Sequence, residues 1–311
     1  MTMLECAEFL KMRDRFLILT HLRPDGDTLG SASALCSALR RAGKTAYLFP
    51  NEEVTDNYAE YVKPFFAPSG FEPEFVLSAD VADEELFPHG FMSKVDLCID
   101  HHPSNTGFAP RTLLMPDKAS CGEIVLELIR LLCGDVKKNE ADLLYIALST
   151  DTGCFCYANT NADTLRAAAE LLELGADNKK INKEIFRTHS YERIKLEGLI
   201  YSGLHRYEDG TITIAAVTPE ILADSKVTEN DCEDLAGLPG RVKGTKIGIT
   251  IRETKPGSCK VSVRTGKEYD ASEICAEFAG GGHAMAAGCM IDGNCAEAER
   301  LIVEAISKLK K

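Results

Sequence analysis

The chain has no surplus of basic residues: its 35 lysines and arginines face 48 aspartates and glutamates, a formal net charge of −13. Affinity for long nucleic acid comes mostly from neutralising phosphates, so this balance argues against a protein that grips duplexes and leaves room only for a local basic cleft. The twelve cysteines contain no CxxC pair, the nearest approach being Cys154 and Cys156 in "GCFCY". Two cysteines without further ligands at suitable spacing do not make a zinc site, and this pair reads as buried thiols. Free thiols in a reducing compartment are the expectation for the rest. No apolar run approaches the roughly 18 residues needed to cross a membrane. The opening "MTMLECAEFLKMRDRFLILT" has charges breaking every apolar run and does not read as a secretory segment. A cytoplasmic protein with no membrane partner is expected. Internal repeats and low-complexity segments are also missing.

With 311 residues, 45% of them hydrophobic, the chain is long enough for two domains. "RFLILT" reads as a buried strand, continuous as parallel strands covered on both faces are. "DTLGSASALCSALRRAG" follows as a helix closed by Gly43, and "KTAYLF" as the next strand, giving a βαβ unit. "EFVLSAD" and "KVDLCID" repeat the pattern, each an apolar strand ending in an acid, Asp80 and Asp100. "SCGEIVLELIRLLCG" is a helix with Gly134 beyond its end, and "NEADLLYIALSTDTG" a helix running into a turn at Asp151. "NADTLRAAAELLELGAD" is an amphipathic helix capped by Asn161 or Asp163. The mixed-charge "NKKINKEIFRTHSYERIKLEGLIYSGL" reads as a helical connector. Beyond it the strands "GTITIAAVT", "TKIGITIRE", "CKVSVRT" and "AAGCMID" are separated by the helix "DASEICAEFAG" and followed by "CAEAERLIVEAISKLKK". The fold class is α/β in two domains. The first has a mainly parallel sheet flanked by helices, and the second is a smaller α/β unit.

Ligands of an open parallel sheet sit beyond the carboxyl ends of its strands. His21, Asp25, Asp27, Asp80, Asp100, His101 and His102 all follow strand ends, and Asp151 can join them from its turn. A single aspartate after a strand is usually a turn or cap residue. Helix caps, however, do not require "HxxxDxD" and "DHH" at one sheet edge. So many carboxylates in one crevice cannot all stay ionised without a counter-charge. Oxygen-rich ligands with some imidazole suit Mn²⁺ or Mg²⁺ better than zinc.

"HLRPDGDTLGS", "SAD", "CIDHHPSN" and "STDTG" resemble, in order and separation, the four motifs of the DHH phosphoesterase superfamily. "FAGGGHAMAAG" is similar to the glycine-rich motif of the DHHA1 domain found in one of its subfamilies. The length most resembles the NrnA-type oligoribonucleases (nanoRNases) that are also pAp phosphatases. The resemblance implies a DHH catalytic domain over 1–187, a helical linker over 188–206 and a DHHA1 substrate-binding domain over 207–311. It implies two Mn²⁺ ions, one held by His21 and Asp25, the other by Asp27, His101 and Asp151, with Asp80 bridging both. Asp100 would orient an imidazole, as metal-bound histidines generally require, and His102 would face the substrate phosphate. A metal-bound water or Asp100 are both candidates to protonate the leaving oxygen. Two cations about 3.5–4 Å apart would activate water and stabilise a transferring phosphoryl group. The family often has a further glycine where this chain has Ala279.

In the second domain, "GGGH" offers consecutive backbone N–H groups to an anion, with Gly281 and Gly282 allowing close approach and His283 beside them. Arg264 ends the strand "VSVRT", and the family's equivalent arginine contacts a phosphate or base at the far end of the substrate. Arg241 and Lys243 in "GRVKGTK" are weaker candidates. The leading expectation is a Mn²⁺-dependent phosphoesterase acting on short single-stranded RNA and on 3′,5′-bisphosphate nucleotides, with a homodimer left open. Linear or cyclic dinucleotide signals are alternative substrates. A RecJ-like single-strand exonuclease is disfavoured by size and charge, and an inorganic pyrophosphatase by "GGGH". A non-catalytic nucleotide- or RNA-binding module would be expected to have lost part of the metal set, which here is complete.

Overall fold

The computed structural model describes residues 1–227, 232 and 235–309. Lys310 and Lys311, read from sequence as the end of the last helix, lie outside the described residues. The chain divides into two compact units, Met1–Thr188 and His189–Lys311.

The first unit opens with α1 (Met3–Lys11), β1 (Phe16–Leu19), α2 (Gly26–Arg41), β2 (Ala46–Leu48) and α3 (Asp56–Val62). It continues through β3 (Phe75–Ala79), β4 (Leu97–Asp100) and β5 (Thr112–Leu114). Helices α4 (Cys121–Cys133), α5 (Lys138–Asp151), α6 (Ala162–Glu173) and α7 (Asn178–Phe186) complete it. All five strands pair in parallel, in the order β2-β1-β3-β4-β5. Alternate residues of the buried strands serve two cores. Phe16, Ile18, Leu77, Ala79, Leu97 and Ile99 join the cluster built with residues of α1, α2, α4 and α5. Leu19, Val76 and Cys98 face the other way, where Phe49, Phe87, Phe91 and Phe108 from the loops close over them. Strand order reverses between β1 and β3, so the loops leaving their carboxyl ends part and open a crevice there.

Helix ends follow their residues. Asn161 caps α6, accepting from the backbone N–H of Asp163 and Thr164, and Gly134 ends α4 at φ 80°. The stretch expected to be one connector is two helices. Helix α7 buries Ile181 in the first unit. After a break at Arg187–Ser190, α8 (Tyr191–Ser202) starts on a Ser190 cap and buries Leu196 and Ile200 against Ala215, Val217, Leu235 and Leu238 of the second unit. Its apolar stripe makes it part of that unit's core.

The second unit adds β6 (His205–Tyr207), β7 (Ile212–Val217), α9 (Pro219–Ser225), β8 (Ile247–Lys255) and β9 (Ser258–Thr265). Then follow α10 (Ala271–Ala276), β10 (Gly281–His283), β11 (Ala286–Asp292) and α11 (Cys295–Leu309). The six strands run in the order β10-β11-β9-β8-β7-β6, antiparallel except for the parallel pair β7/β8. Residues of α10 and α11 pack on the face formed by the isoleucines of β7 and β8 and by Val261, Val263 and Ile291.

Helix α5 is seated by glycines. A Cβ built on Gly30 of α2 would lie 2.3 Å from the Leu143 carbonyl oxygen, and one on Gly26 2.4 Å from Thr150 Cγ2. One on Gly122 of α4 would lie 2.7 Å from Ala147 Cβ. Two glycines of the "DGDTLGS" motif therefore set how closely α2 approaches the helix that ends in Asp151. Gly30→Ala should push these helices apart and lower the unfolding free energy by about 1–3 kcal/mol, read from urea denaturation. An unchanged midpoint would contradict this close packing.

Candidate metal centre

The crevice at the β1/β3 reversal gathers the acids. His21 follows β1, and its Nδ1 donates to the Leu22 carbonyl at 2.8 Å. That leaves Nε2 facing Asp25 Oδ1 at 3.5 Å and Asp80 Oδ2 at 4.0 Å. Asp25 is exposed and is also the N-cap of α2, its Oδ1 accepting from the N–H groups of Asp27 and Thr28. Capping and clustering thus belong to one residue. Asp80 ends β3 in the left-handed region, φ 61°, which aspartate tolerates better than most residues. The Thr28 hydroxyl ties the start of α2 to this point, donating to the Ala79 carbonyl at 2.7 Å.

On the other side of Asp80 lies a deeper group. Asp27, 1% exposed, accepts from Ser31 Oγ at 3.0 Å and from the N–H groups of Cys121 and Gly122 at 2.7 and 3.0 Å. The positive end of α4 thereby supports its charge. His101 Nδ1 donates to the Lys118 carbonyl at 3.1 Å. Its Nε2 then faces Asp80 Oδ1 at 3.4 Å, Asp27 Oδ2 at 3.6 Å and Asp151 Oδ2 at 3.7 Å. Asp151 is the last residue of α5, and Asn159 holds it, donating to its carbonyl at 3.1 Å and its Oδ2 at 3.4 Å. Three sets of ligand atoms fall within 4.8 Å of one another: His21, Asp25 and Asp80; Asp27, His101 and Asp151; Asp80, His101 and His102.

Asp100 has a different role. It is fully buried and accepts from the N–H groups of His101 and His102, from Asn105 Nδ2 at 2.7 Å and from His102 Nδ1 at 2.8 Å. Burial opposes its charge, but the His102 and Asn105 hydrogen bonds outweigh that and hold it below the usual carboxylate range. A carboxylate so well satisfied is a poor proton donor. The bond from Asp100 likewise raises His102, leaving its Nε2 edge in a partly exposed ring.

The second unit's residues also come together. His283 of β10 and Arg264 of β9 stand in register on either side of Ala286, on one face of the sheet. Two strand spacings separate them by about 9–10 Å. Gly281–His283 of "GGGH" form an edge strand, and the glycines differ in purpose. A Cβ on Gly280 or Gly282 would meet the carbonyl oxygens of Gly288 or Ala286 at 2.4 and 2.6 Å, whereas one on Gly281 would meet nothing within 4 Å. Ala279 holds φ 53°, the conformation the family's glycine would adopt freely. Cys156 is exposed and Cys154 half-buried, so "GCFCY" is not the pair of buried thiols its composition suggested. The turn after Asp151 runs left-handed through Gly153, Cys154 and Phe155 and carries the second sulfur outward.

The centre fits a cation. Asp80 Oδ1 and His101 Nε2 are buried polar atoms without a hydrogen-bond partner, facing one another among oxygen and imidazole ligands. In the metal-free chain protons must serve instead. Burial, then Asp80 and Asp151, raise Asp27 well above the usual carboxylate range. Burial also pushes Asp151 up to about 6, with Asp80 adding to it against the pull of His101. Burial opposes charge on the imidazoles, yet Asp25 and Asp80 drive His21 up to about 9, and Asp80, Asp27 and Asp151 drive His101 up to about 10. Both folded values lie above the ordinary 6.5, so the stability these histidines lend is fully present below pH 6.5 and lost as pH rises through 9 and 10. The melting temperature in chelator should therefore fall between pH 7 and 10, and divalent cation should abolish the fall. Cation binding should also release protons, measured calorimetrically in buffers of different ionisation enthalpy. A chelated melting temperature that stays flat or rises with pH would contradict the charge assignment.

Residues 15–148 match the DHH family, N-terminal domain, and residues 209–311 match the DHHA1 domain. A relative from Thermus thermophilus, the bifunctional oligoribonuclease and PAP phosphatase NrnA, is 32% identical over 96% of this chain and 92% of its own. The Bacillus subtilis protein of that name is 24% identical over 96% of each chain. The crystal structure of an exopolyphosphatase-related protein from Bacteroides fragilis shares the fold at a TM-score of 0.88, with 24% identity, over 99% of this chain and 96% of that one. Fold, acid cluster and full-length similarity agree, and the chain belongs to the DHH–DHHA1 family of phosphoesterases, hydrolases of phosphodiesters and phosphate esters.

Proposed function

We propose that the chain hydrolyses short oligoribonucleotides to mononucleotides and 3′,5′-bisphosphate nucleotides to nucleoside monophosphate and phosphate, using two Mn²⁺ ions. The observation that carries this is the pair of buried orphan atoms, Asp80 Oδ1 and His101 Nε2, set between a His21/Asp25 group and an Asp27/His101/Asp151 group. In this reading the first group holds one ion, the second the other, and Asp80 serves both. Such ions, when bound, supply activated water and offset the phosphate charge. No cluster of three or more metal-ligating groups other than those three is found among the described residues.

The chain's own groups supply the rest. Asp100 fixes His102 through Nδ1 and favours its protonated form, so Nε2 donates to a phosphate oxygen as charge builds there. Arg264 is exposed, one guanidinium nitrogen donates to the Val263 carbonyl at 3.1 Å, and the rest of the group can meet an anion. With His283 and the open backbone at Gly281 it offers an anion-binding place on the second unit. The similarity to the Thermus protein named for oligoribonuclease and PAP phosphatase activity supports this substrate class. Buried cysteines outside any disulfide, Cys6, Cys36, Cys98 and Cys121 among them, fit a cytoplasmic location. A net charge of −13 provides no track for a long polyanion.

The test is hydrolysis, with Mn²⁺, of pAp and of 2-mer, 5-mer and 24-mer RNA. Rates should fall beyond about five nucleotides, the span of one short single-strand groove. A 24-mer cut as fast as the 2-mer would sink the short-substrate reading. Arg264→Ala and His283→Ala should raise KM for short substrates while metal content stays intact. The two adjacent histidines should separate: His101→Ala loses metal and rate together, whereas His102→Ala keeps metal and loses about 10²–10³ in kcat. Equal metal loss in both would contradict the division of labour.

A further inference from the structure

The turn after Asp151 contains an aromatic ring that no structural role accounts for. Gly153, Cys154 and Phe155 take φ values of 55°, 56° and 64° in succession. Side chains at the second and third positions resist that conformation, so the surrounding contacts must hold it. Thr152 supplies the hold, its carbonyl accepting from the N–H groups of both Cys156 and Tyr157 at 2.9 Å. The reversal sends neighbouring rings opposite ways. Phe155 turns inward against the main core and lies 5.9 Å from Tyr145, ring centre to ring centre. Tyr157 stays outside, 62% exposed, and belongs to no apolar cluster. Its ring packs over Gly153, where a Cβ would meet ring carbons at 2.4 Å. Its hydroxyl has no hydrogen-bond partner among the described residues, and Asn159, two residues on, returns to grip Asp151.

We infer that Tyr157 is a stacking platform for the nucleobase of the nucleotide whose phosphate lies at the acid cluster. One ring face is backed by Gly153 and the side chain is otherwise largely exposed, a few residues from a prospective metal ligand. Bases stack on such rings whatever their identity, because each has a π-face. This inference rests on the proposed nucleotide substrate and adds a base-binding subsite to it. A purely structural tyrosine would be buried or hydrogen-bonded at its tip.

The experiment compares substrates with and without a base in Tyr157→Ala, Tyr157→Phe and wild type. For pAp, Tyr157→Ala should raise KM at least about five-fold, the lower end of what one stacked base contributes. Tyr157→Phe should stay within two-fold of wild type. On ribose 3′,5′-bisphosphate, which has no base, all three should have the same KM. Metal content and melting temperature should match across the set. Equal KM for pAp in wild type and Tyr157→Ala, or equal losses on both substrates, overturns the inference. Calorimetric binding of AMP and ribose 5-phosphate provides a readout independent of turnover. Wild type should prefer AMP by at least about five-fold, and Tyr157→Ala should erase the preference. Equal binding of the two ligands by wild type overturns the stacking platform even if RNA and pAp are hydrolysed. An AMP preference without hydrolysis of either would instead reject the proposed function and keep the base subsite.

Discussion

Mutual repulsion among the aspartates around Asp80 governs the first unit. Asp25, Asp27, Asp80, Asp100 and Asp151 converge on one end of the sheet, and four of the five are largely buried. Nothing apolar about the fold would bring them together; a cluster of this kind opposes folding unless each charge is matched. The chain matches some of them internally. Asp100 is saturated by two backbone N–H groups, an asparagine and an imidazole, and Asp27 by a hydroxyl and the start of α4. Asp80 Oδ1 is left without any donor. The unbalanced charge is thus concentrated on Asp80, which faces His21 on one side and His101 on the other.

Helix and sheet geometry do the remaining positioning. Parallel strands deliver His21, Asp80 and the His101–His102 pair to one edge, while the helices deliver acids from opposite ends: Asp25 and Asp27 at the beginning of α2, Asp151 at the finish of α5. Thr28, Lys118 and Asn159 then fix individual side chains through bonds to backbone or carboxylate. Each histidine Nδ1 is committed to an oxygen of the protein, so the Nε2 edges of His21 and His101 converge on Asp80.

Much of this was legible before any coordinates. Apolar strands ending in acids, and glycines beyond helices, are local signals, and they point to the sheet edge and to its eight polar residues. The supporting hydrogen-bond partners were not legible, because Cys121, Gly122 and Lys118 act through backbone groups that carry no trace in residue type. Strands β6 and β10, three residues each, are too short for any period to show, and the glycines of β10 have no side chains to alternate. The break between α7 and α8 contains neither glycine nor proline, so the connector read as continuous. Cys156 misled for a related reason: composition reports affinity for a core, whereas the left-handed turn decides which way the side chain goes.

The three glycines that seat α5 change how variation in this chain should be read. A substitution at an acid such as Asp27 alters one charge. A methyl group added at Gly30 or Gly122 alters no charge, yet it shifts the helix that bears Asp151 against helices whose ends hold Asp27 or its donors. Random mutagenesis selected for lost activity should accordingly recover lesions at these glycines, none of which has a side chain to react. Such alleles would be inactive through spacing rather than chemistry: at Gly122 a smaller residue at Ala147 or Leu148 should relieve the clash, whereas at Gly30 the clash falls on the Leu143 carbonyl, which no side-chain change on α5 removes.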